Sequence, residues 1–269
     1  MVSIQPVIRL LSILLVLAIA PARADVLDEV LERGTLRVGV AEFVPWTMRT
    51  KSGELVGFEV DIAEKIAEDM GVRAELKLYE WDHIIAALQR GEIDVIAGGM
   101  AITPARALQV NFSRPVATSG VGLAANTAMT RNIETLADLN KENIRISTVA
   151  DTLAADVAQR LFADASVTVH PAPAAAEADV LEGRAHAYLA GMPEARFLVL
   201  KNPDVLDLPV SKPLLASAEA LAVNKGEQEL LNFLDAWVSA RRVDEWLPTT
   251  RDYWFGTLAW VSRVTGEGS

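Results

Sequence analysis

The tetrapeptide Thr103-Pro104-Ala105-Arg106 follows the apolar run 95–97 and the pair Gly98-Gly99. Each residue type in it has a use in holding an anion. Thr103 is a good helix N-cap, and Pro104 suits the first helical position, where a missing N–H has no intrahelical partner to lose. The amides of such a first turn carry the positive end of the helix dipole. Arg106 adds a planar, permanently charged fork that can hold a carboxylate through two parallel hydrogen bonds. Glycines at 98 and 99 let a ligand approach the backbone closely. The combination predicts a seat for a small carboxylate. The alternative is a surface ion pair between Arg106 and a neighbouring acid.

Other residues of the same kind stand at the ends of predicted strands. Thr152 opens a helix and either offers a second set of amides to the anion or serves as an ordinary cap. Phe43 and Trp46 flank Pro45 just after a strand, placed to stack on the apolar part of a ligand or to fill the edge of a lobe. Trp81 is expected to pack beneath the helix that follows it. Glu194 lies near the start of a helix, where an acid also complements the dipole. His83, His170 and His186 have no metal-ligand spacing, and the chain contains no cysteine. No metal site and no cofactor are therefore expected. GxSxG, P-loop, HExxH and full dinucleotide motifs are absent from the sequence.

The elements that must position these residues follow one pattern twice. Segment 35–40 reads as a strand and 59–70 as a helix with Ile62, Ile66 and Met70 on one stripe. Segment 72–78 alternates as a strand, 82–90 is a helix that Asp82 should cap, and 93–97 is a third strand. The β-α-β-α-β order implies a parallel sheet with helical crossovers. It recurs as strand 144–148, helix 152–163, strand 167–169, helix 174–181 and strand 185–190. The expected architecture is α/β with two lobes, each a mainly parallel sheet flanked by helices. Ligands of such sheets bind beyond the carboxyl ends of the strands, which is where Phe43, Trp46, Gly98, Arg106, Thr152 and Glu194 fall. Extended segments 120–126 and 218–224 are candidate hinges. They give a first lobe of 25–121 with 222–269, and a second of 122–221. A helix over 227–247 should end at Pro248, and the aromatic tail after it should pack on the first lobe.

The first 24 residues stand apart: Arg9, an apolar run of about eleven, and Pro21-Ala22-Arg23-Ala24. They read as a cleavable secretory signal peptide, the run being short for the ~20 residues of a membrane span. Without a lipid-accepting cysteine, the exported chain is expected in the periplasm. Its formal charge goes from −11 to −13, because the leader takes two arginines and no acid with it. Such acidity argues against nucleic acid as a partner.

GELVGFEVDIAEKIAEDMGV, EWDHIIAALQRGEIDVIAGGMAITPAR and FSRPV occur in an order and spacing that resemble the family 3 bacterial extracellular solute-binding proteins of the polar amino-acid type. The resemblance runs from Gly34 to about Trp246. It implies a hinged, monomeric periplasmic binding protein that closes on a small carboxylate-bearing ligand and delivers it to a membrane ABC permease. It also implies that Arg106 grips the ligand carboxylate, that Thr152 is the second-lobe threonine, and that Phe43 or Trp46 is the aromatic after the first strand. Two positions that often carry hydroxyls in the family are Gly98 and Ala101 here. The acid expected to receive a ligand ammonium aligns with Gly191; either Glu194, three residues on, substitutes for it, or the ligand is a related organic acid, a carboxylate without an α-amine. A related branch, the cyclohexadienyl (arogenate) dehydratases, places a glutamate near this helix start as general acid. Glu194 is thus the catalytic candidate if the chain is an enzyme. A third reading is a ligand-presenting partner of a membrane receptor.

Overall fold

The computed structural model describes residues 25–257, 259–261 and 264; the predicted signal peptide, 1–24, lies outside them. Helix α1 (Val26–Arg33) starts at Asp25, whose side chain accepts the Leu27 N–H, and stops at Gly34 in the left-handed region. Strand β1 (Thr35–Val40) is buried at five of six positions. A short hairpin, β2 (Met48–Arg49) and β3 (Leu55–Val56), leads to α2 (Phe58–Met70), which buries Ile62 and Ile66 and ends at left-handed Gly71. Strand β4 (Arg73–Leu78) follows, then a 3-10 turn (Trp81–His83), α3 (Ile84–Gln89), β5 (Val95–Ile96), the four-residue α4 (Pro104–Ala107) and β6 (Asn111–Phe112).

The second set begins with the ten-residue β7 (Ala117–Asn126) and continues through β8 (Arg145–Val149), α5 (Leu153–Leu161), β9 (Ser166–His170), α6 (Pro173–Leu181), β10 (Ala187–Gly191), α7 (Met192–Lys201), β11 (Leu206–Asp207) and β12 (Leu215–Glu219). Then come β13 (Ala222–Val223), α8 (Gln228–Val243) and α9 (Trp246–Arg251), with a π-helical turn at Asp252–Gly256.

Two lobes result. One sheet has the order β4-β1-β5-β13-β6, the other β11-β7-β10-β8-β9 with β12 on β7. Pairs β1–β4, β1–β5, β8–β9 and β8–β10 are parallel, as the repeated β-α-β-α-β order requires. Between the sheets the chain crosses twice on neighbouring strands. Ser113 N–H donates to the Leu221 carbonyl and Val116 N–H to that of Glu219, at 2.9 and 2.8 Å. Buried Asp94 ties α1, β1 and β5 together by accepting from Arg33 at 2.6 Å and Arg37 at 2.5 Å.

Three local expectations are corrected. Asp82 caps nothing: its segment opens as a 3-10 turn without a side-chain cap, and α3 begins at Ile84. The helix after β13 does not run to Pro248. It stops at Asp244 because Glu245 adopts φ 65°, and Pro248 then sits in the first turn of α9, where its missing N–H has no partner to lose. The tail buries Trp254 and Trp260 in the first-lobe core as expected, yet Trp260 also meets Phe197 of α7 at 4.9 Å. Among the described residues no helix is long and apolar enough to cross a membrane.

Candidate functional site

The segment that carries Phe43 and Trp46 is fixed by the start of α2. The Phe58 and Glu59 amides donate to the carbonyls of Pro45 and Trp46 at 3.1 and 2.9 Å. These are amides that a helix start leaves unpaired. The close approach needs Gly57, at φ 144°, because any Cβ there would collide with the Trp46 carbonyl. So held, the Trp46 indole is 4% exposed and donates from Nε1 to Glu219 Oε2 at 2.8 Å. Its ring lies between two glycines. A Cβ at Gly99 would stand 2.5 Å from Nε1, and one at Gly191 would stand 2.6 Å from Cη2. Phe43 is half-buried and meets Trp81 edge-on, with ring centroids 5.4 Å apart.

Thr103 caps α4 by accepting the Arg106 amide at 3.2 Å. The cap therefore consumes an amide expected to face the anion. The Arg106 guanidinium donates to the carbonyl of Ala101 at 2.9 Å and, from Nη2, to that of Asp151 at 2.7 Å. It rests over the Trp81 ring, 5.3 Å from the centroid. Trp81 also donates from Nε1 to the Asp151 carbonyl, at 3.0 Å. Trp81 thus does not simply underlie α3: its indole reaches the second lobe. Asp151 presents that carbonyl from a left-handed conformation, φ 57°. Among the described residues Arg106 forms no ion pair with a carboxylate. Burial presses its pKa downward, and the charges of Asp156 and Asp151 oppose this.

Thr152 caps α5, accepting the Ala155 amide at 3.2 Å and donating to the Val149 carbonyl at 2.7 Å. Glu194, in the first turn of α7, is 3% exposed and accepts from Tyr188 Oη at 2.7 Å. Burial pushes its pKa up to about 8, opposed by the Tyr188 bond and the Gly191 backbone and reinforced by Glu177. Glu219, at the end of β12, is 4% exposed, and burial raises its pKa to about 7 against the pull of Trp46, Ser119 and Arg251. Glu59 accepts the Gly99 amide at 2.9 Å, and burial together with Glu219 raises it to about 8.

Apart from Thr103 and Glu59, these groups share one cleft between the lobes. The first lobe contributes Phe43, Trp46, Gly98, Ala101 and Arg106; Thr152 and Glu194 come from the second. Thr103 does not line it. Trp81, Tyr188 and Glu219 line it too, although the sequence reading did not put them there. For Glu219 a signal existed: a single acid in the apolar run AEALAV, where every residue from 219 to 223 is buried. The histidines are elsewhere. His186 accepts the Arg145 amide at 3.1 Å, and His170 meets Asp179 at 2.7 Å. Among the described residues no cluster of His, Asp and Glu could hold a metal ion.

Residues 36–257 match the model of the bacterial extracellular solute-binding proteins, family 3. The chain belongs to that family. This family 3 protein is 28% identical over 236 residues to the L-cystine-binding protein TcyJ of Escherichia coli K12, covering 87% of this chain and 88% of that one. Its fold superposes with a TM-score of 0.80 on an ancestral amino acid-binding protein described as a precursor of cyclohexadienyl dehydratase. That pair is 31% identical, covering 86% of this chain and 100% of the other. A lysine-complexed ABC-transporter binding component from Wolinella succinogenes gives a TM-score of 0.81 at 29% identity, covering 86% and 99%. The two-lobed architecture of the family 3 proteins is the architecture described above. Where this chain has Gly191, the neighbouring space is taken by the Trp46 indole.

Proposed function

We propose that the protein is a periplasmic solute-binding protein that captures an amino acid in the interlobe cleft and hands it to a membrane ABC permease. It would act as a monomer without a cofactor, with lobes 25–116 plus 220–269 and 117–219, because β12 pairs along its whole length with β7 within the second sheet. One observation carries the reading: Arg106 faces the cleft with no carboxylate partner of its own. A ligand carboxylate would complete it, sharing the guanidinium with the Asp151 carbonyl. Thr152 would supply the start of α5 at the same place, and Phe43 with Trp81 an aromatic wall. Glu194 would receive the ligand ammonium, because it is the buried acid nearest in sequence to Gly191 and one of its oxygens is free of Tyr188. Relatives that bind cystine and lysine support an amino-acid ligand. Isothermal titration calorimetry with L-cystine, L-lysine, L-arginine and plain carboxylic acids tests this. Losing a charge-assisted pair costs a few kcal/mol, so Arg106→Ala should weaken the best ligand by about two orders of magnitude. Unchanged affinity in the variant would remove Arg106 from the site.

A second reading rests on Glu194 as well. A carboxyl kept protonated near neutral pH beside Tyr188 is chemically suited to protonate a leaving hydroxyl. The relationship to a dehydratase precursor makes prephenate and arogenate the substrates to try. Turnover by the wild type that vanishes in Glu194→Gln would favour the enzyme; no turnover leaves the transport reading in place.

A further inference from the structure

The cleft holds more acid than a simple amino acid can answer. Arg106 is one cation, and Glu194 and Glu219 are two carboxyls lining the same space. No ion pair among the described residues joins any of the three to another. In the reading above, Arg106 takes a ligand carboxylate and Glu194 an ammonium. Glu219 is then left with neutral partners, Trp46 Nε1 on Oε2 and the Ser119 hydroxyl beside it, and with no ion pair to a cation among the described residues. Its place is fixed by backbone. Glu219 bridges Ala101, and Ala220 N–H donates to the Met100 carbonyl at 3.1 Å, so Glu219 sits beside the segment whose carbonyl holds Arg106. A surface carboxylate would need no partner, but one that is 4% exposed loses most of its hydration and gains from any cation brought to it.

We propose that Glu219 determines the specificity of this cleft by receiving a second cationic group, so that the ligand is an amino acid with a basic side chain. The inference rests on the amino-acid reading and adds the ligand class to it. The groups facing Glu219 are the Trp46 indole, the Ser119 side chain, the Glu59 carboxyl and the Arg251 guanidinium. Burial pushes against ionisation of Glu219, while Trp46, Ser119 and the Arg251 charge pull toward it; Glu219 in turn raises Glu59. Bringing a cation to Glu219 drives its proton off.

The test compares isosteres by calorimetry: L-lysine with L-norleucine, and L-arginine with L-citrulline. The wild type should bind at least one basic member ~100-fold tighter than its neutral partner, the scale of one buried charge-assisted contact. Glu219→Gln keeps an acceptor for Trp46 Nε1 and should reduce that ratio at least tenfold, whereas Glu219→Asp should keep more of it. An undiminished ratio in Glu219→Gln, with melting temperature preserved, overturns the assignment. So does a wild type that binds norleucine and lysine equally while Arg106→Ala abolishes both; that outcome leaves the amino-acid reading standing. A wild type that binds none of the four but binds L-cystine overturns the inference and leaves the amino-acid reading standing; one that binds no amino acid at all removes both.

Discussion

Glu59, Glu194 and Glu219 each have a carboxyl whose charged form is disfavoured by burial, with pKa values raised to about 8, about 8 and about 7. In the unfolded chain each would return to an ordinary value near ~4.3. Above that value the folded protein therefore holds protons the unfolded one has released. The stability this gives is complete below the unfolded pKa and is lost as pH rises through 7 and 8. The ligand-free melting temperature should fall between pH 5.5 and 8.5, by roughly 2–8 °C for a loss of ~1–2 kcal/mol. Glu194→Gln, which is neutral at every pH, should flatten that slope. Ligand affinity should move the other way. A basic amino acid needs Glu194 and Glu219 ionised, so its binding should tighten from pH 6 to pH 8.5, whereas norleucine should gain less. Calorimetry across that range checks both signs.

The elements matter because they bring glycines to one tryptophan. The α2 amides hold the Trp46 loop, the turn after β5 supplies Gly99, and β10 ends at Gly191 against the ring. Gly191→Ala should force the indole or the lobes to shift, because its Cβ would meet Cη2 at 2.6 Å. We expect affinity to drop about tenfold, the consequence of ~1.4 kcal/mol of strain. Gly191→Ala with Trp46→Phe removes the contacting ring atoms and should recover part of the loss, a coupling that a double-mutant cycle measures. Much at this level was legible in the sequence. Periodicity located β1, α2, β4, α5 and α6, and capping chemistry located Thr103 and Thr152, since caps and stripes are local. Trp81 was not legible, because its partner, the Asp151 carbonyl, lies 70 residues away. Pro248 misled for a similar reason: the helix break is made by the backbone of Glu245, and proline follows it as a tolerated first-turn residue.

At the scale of the molecule, the lobes meet through the Asp151 carbonyl, which accepts from both Trp81 and Arg106, and through Trp46 against Gly191. Trp81→Phe deletes one of these hydrogen bonds, worth about 1 kcal/mol. It should shift the ligand-free equilibrium about fivefold toward separated lobes. Small-angle scattering would show this as a larger radius of gyration, and saturating ligand should reverse it. The two-lobed plan was readable because the β-α-β-α-β order occurs twice. The closing contacts were not, because they join backbone and side chains across a gap that no local pattern describes.

The placement of the indoles has a practical consequence. Trp237, Trp254 and Trp260 are buried in the first-lobe core, and Trp246 packs on Trp237. Trp46 and Trp81 alone among the six tryptophans border the cleft. The chain thus carries its own optical gauge of domain motion: emission intensity and wavelength should change on capture without any attached dye, and Trp46→Phe and Trp81→Phe would divide that signal between the two ends of the seam.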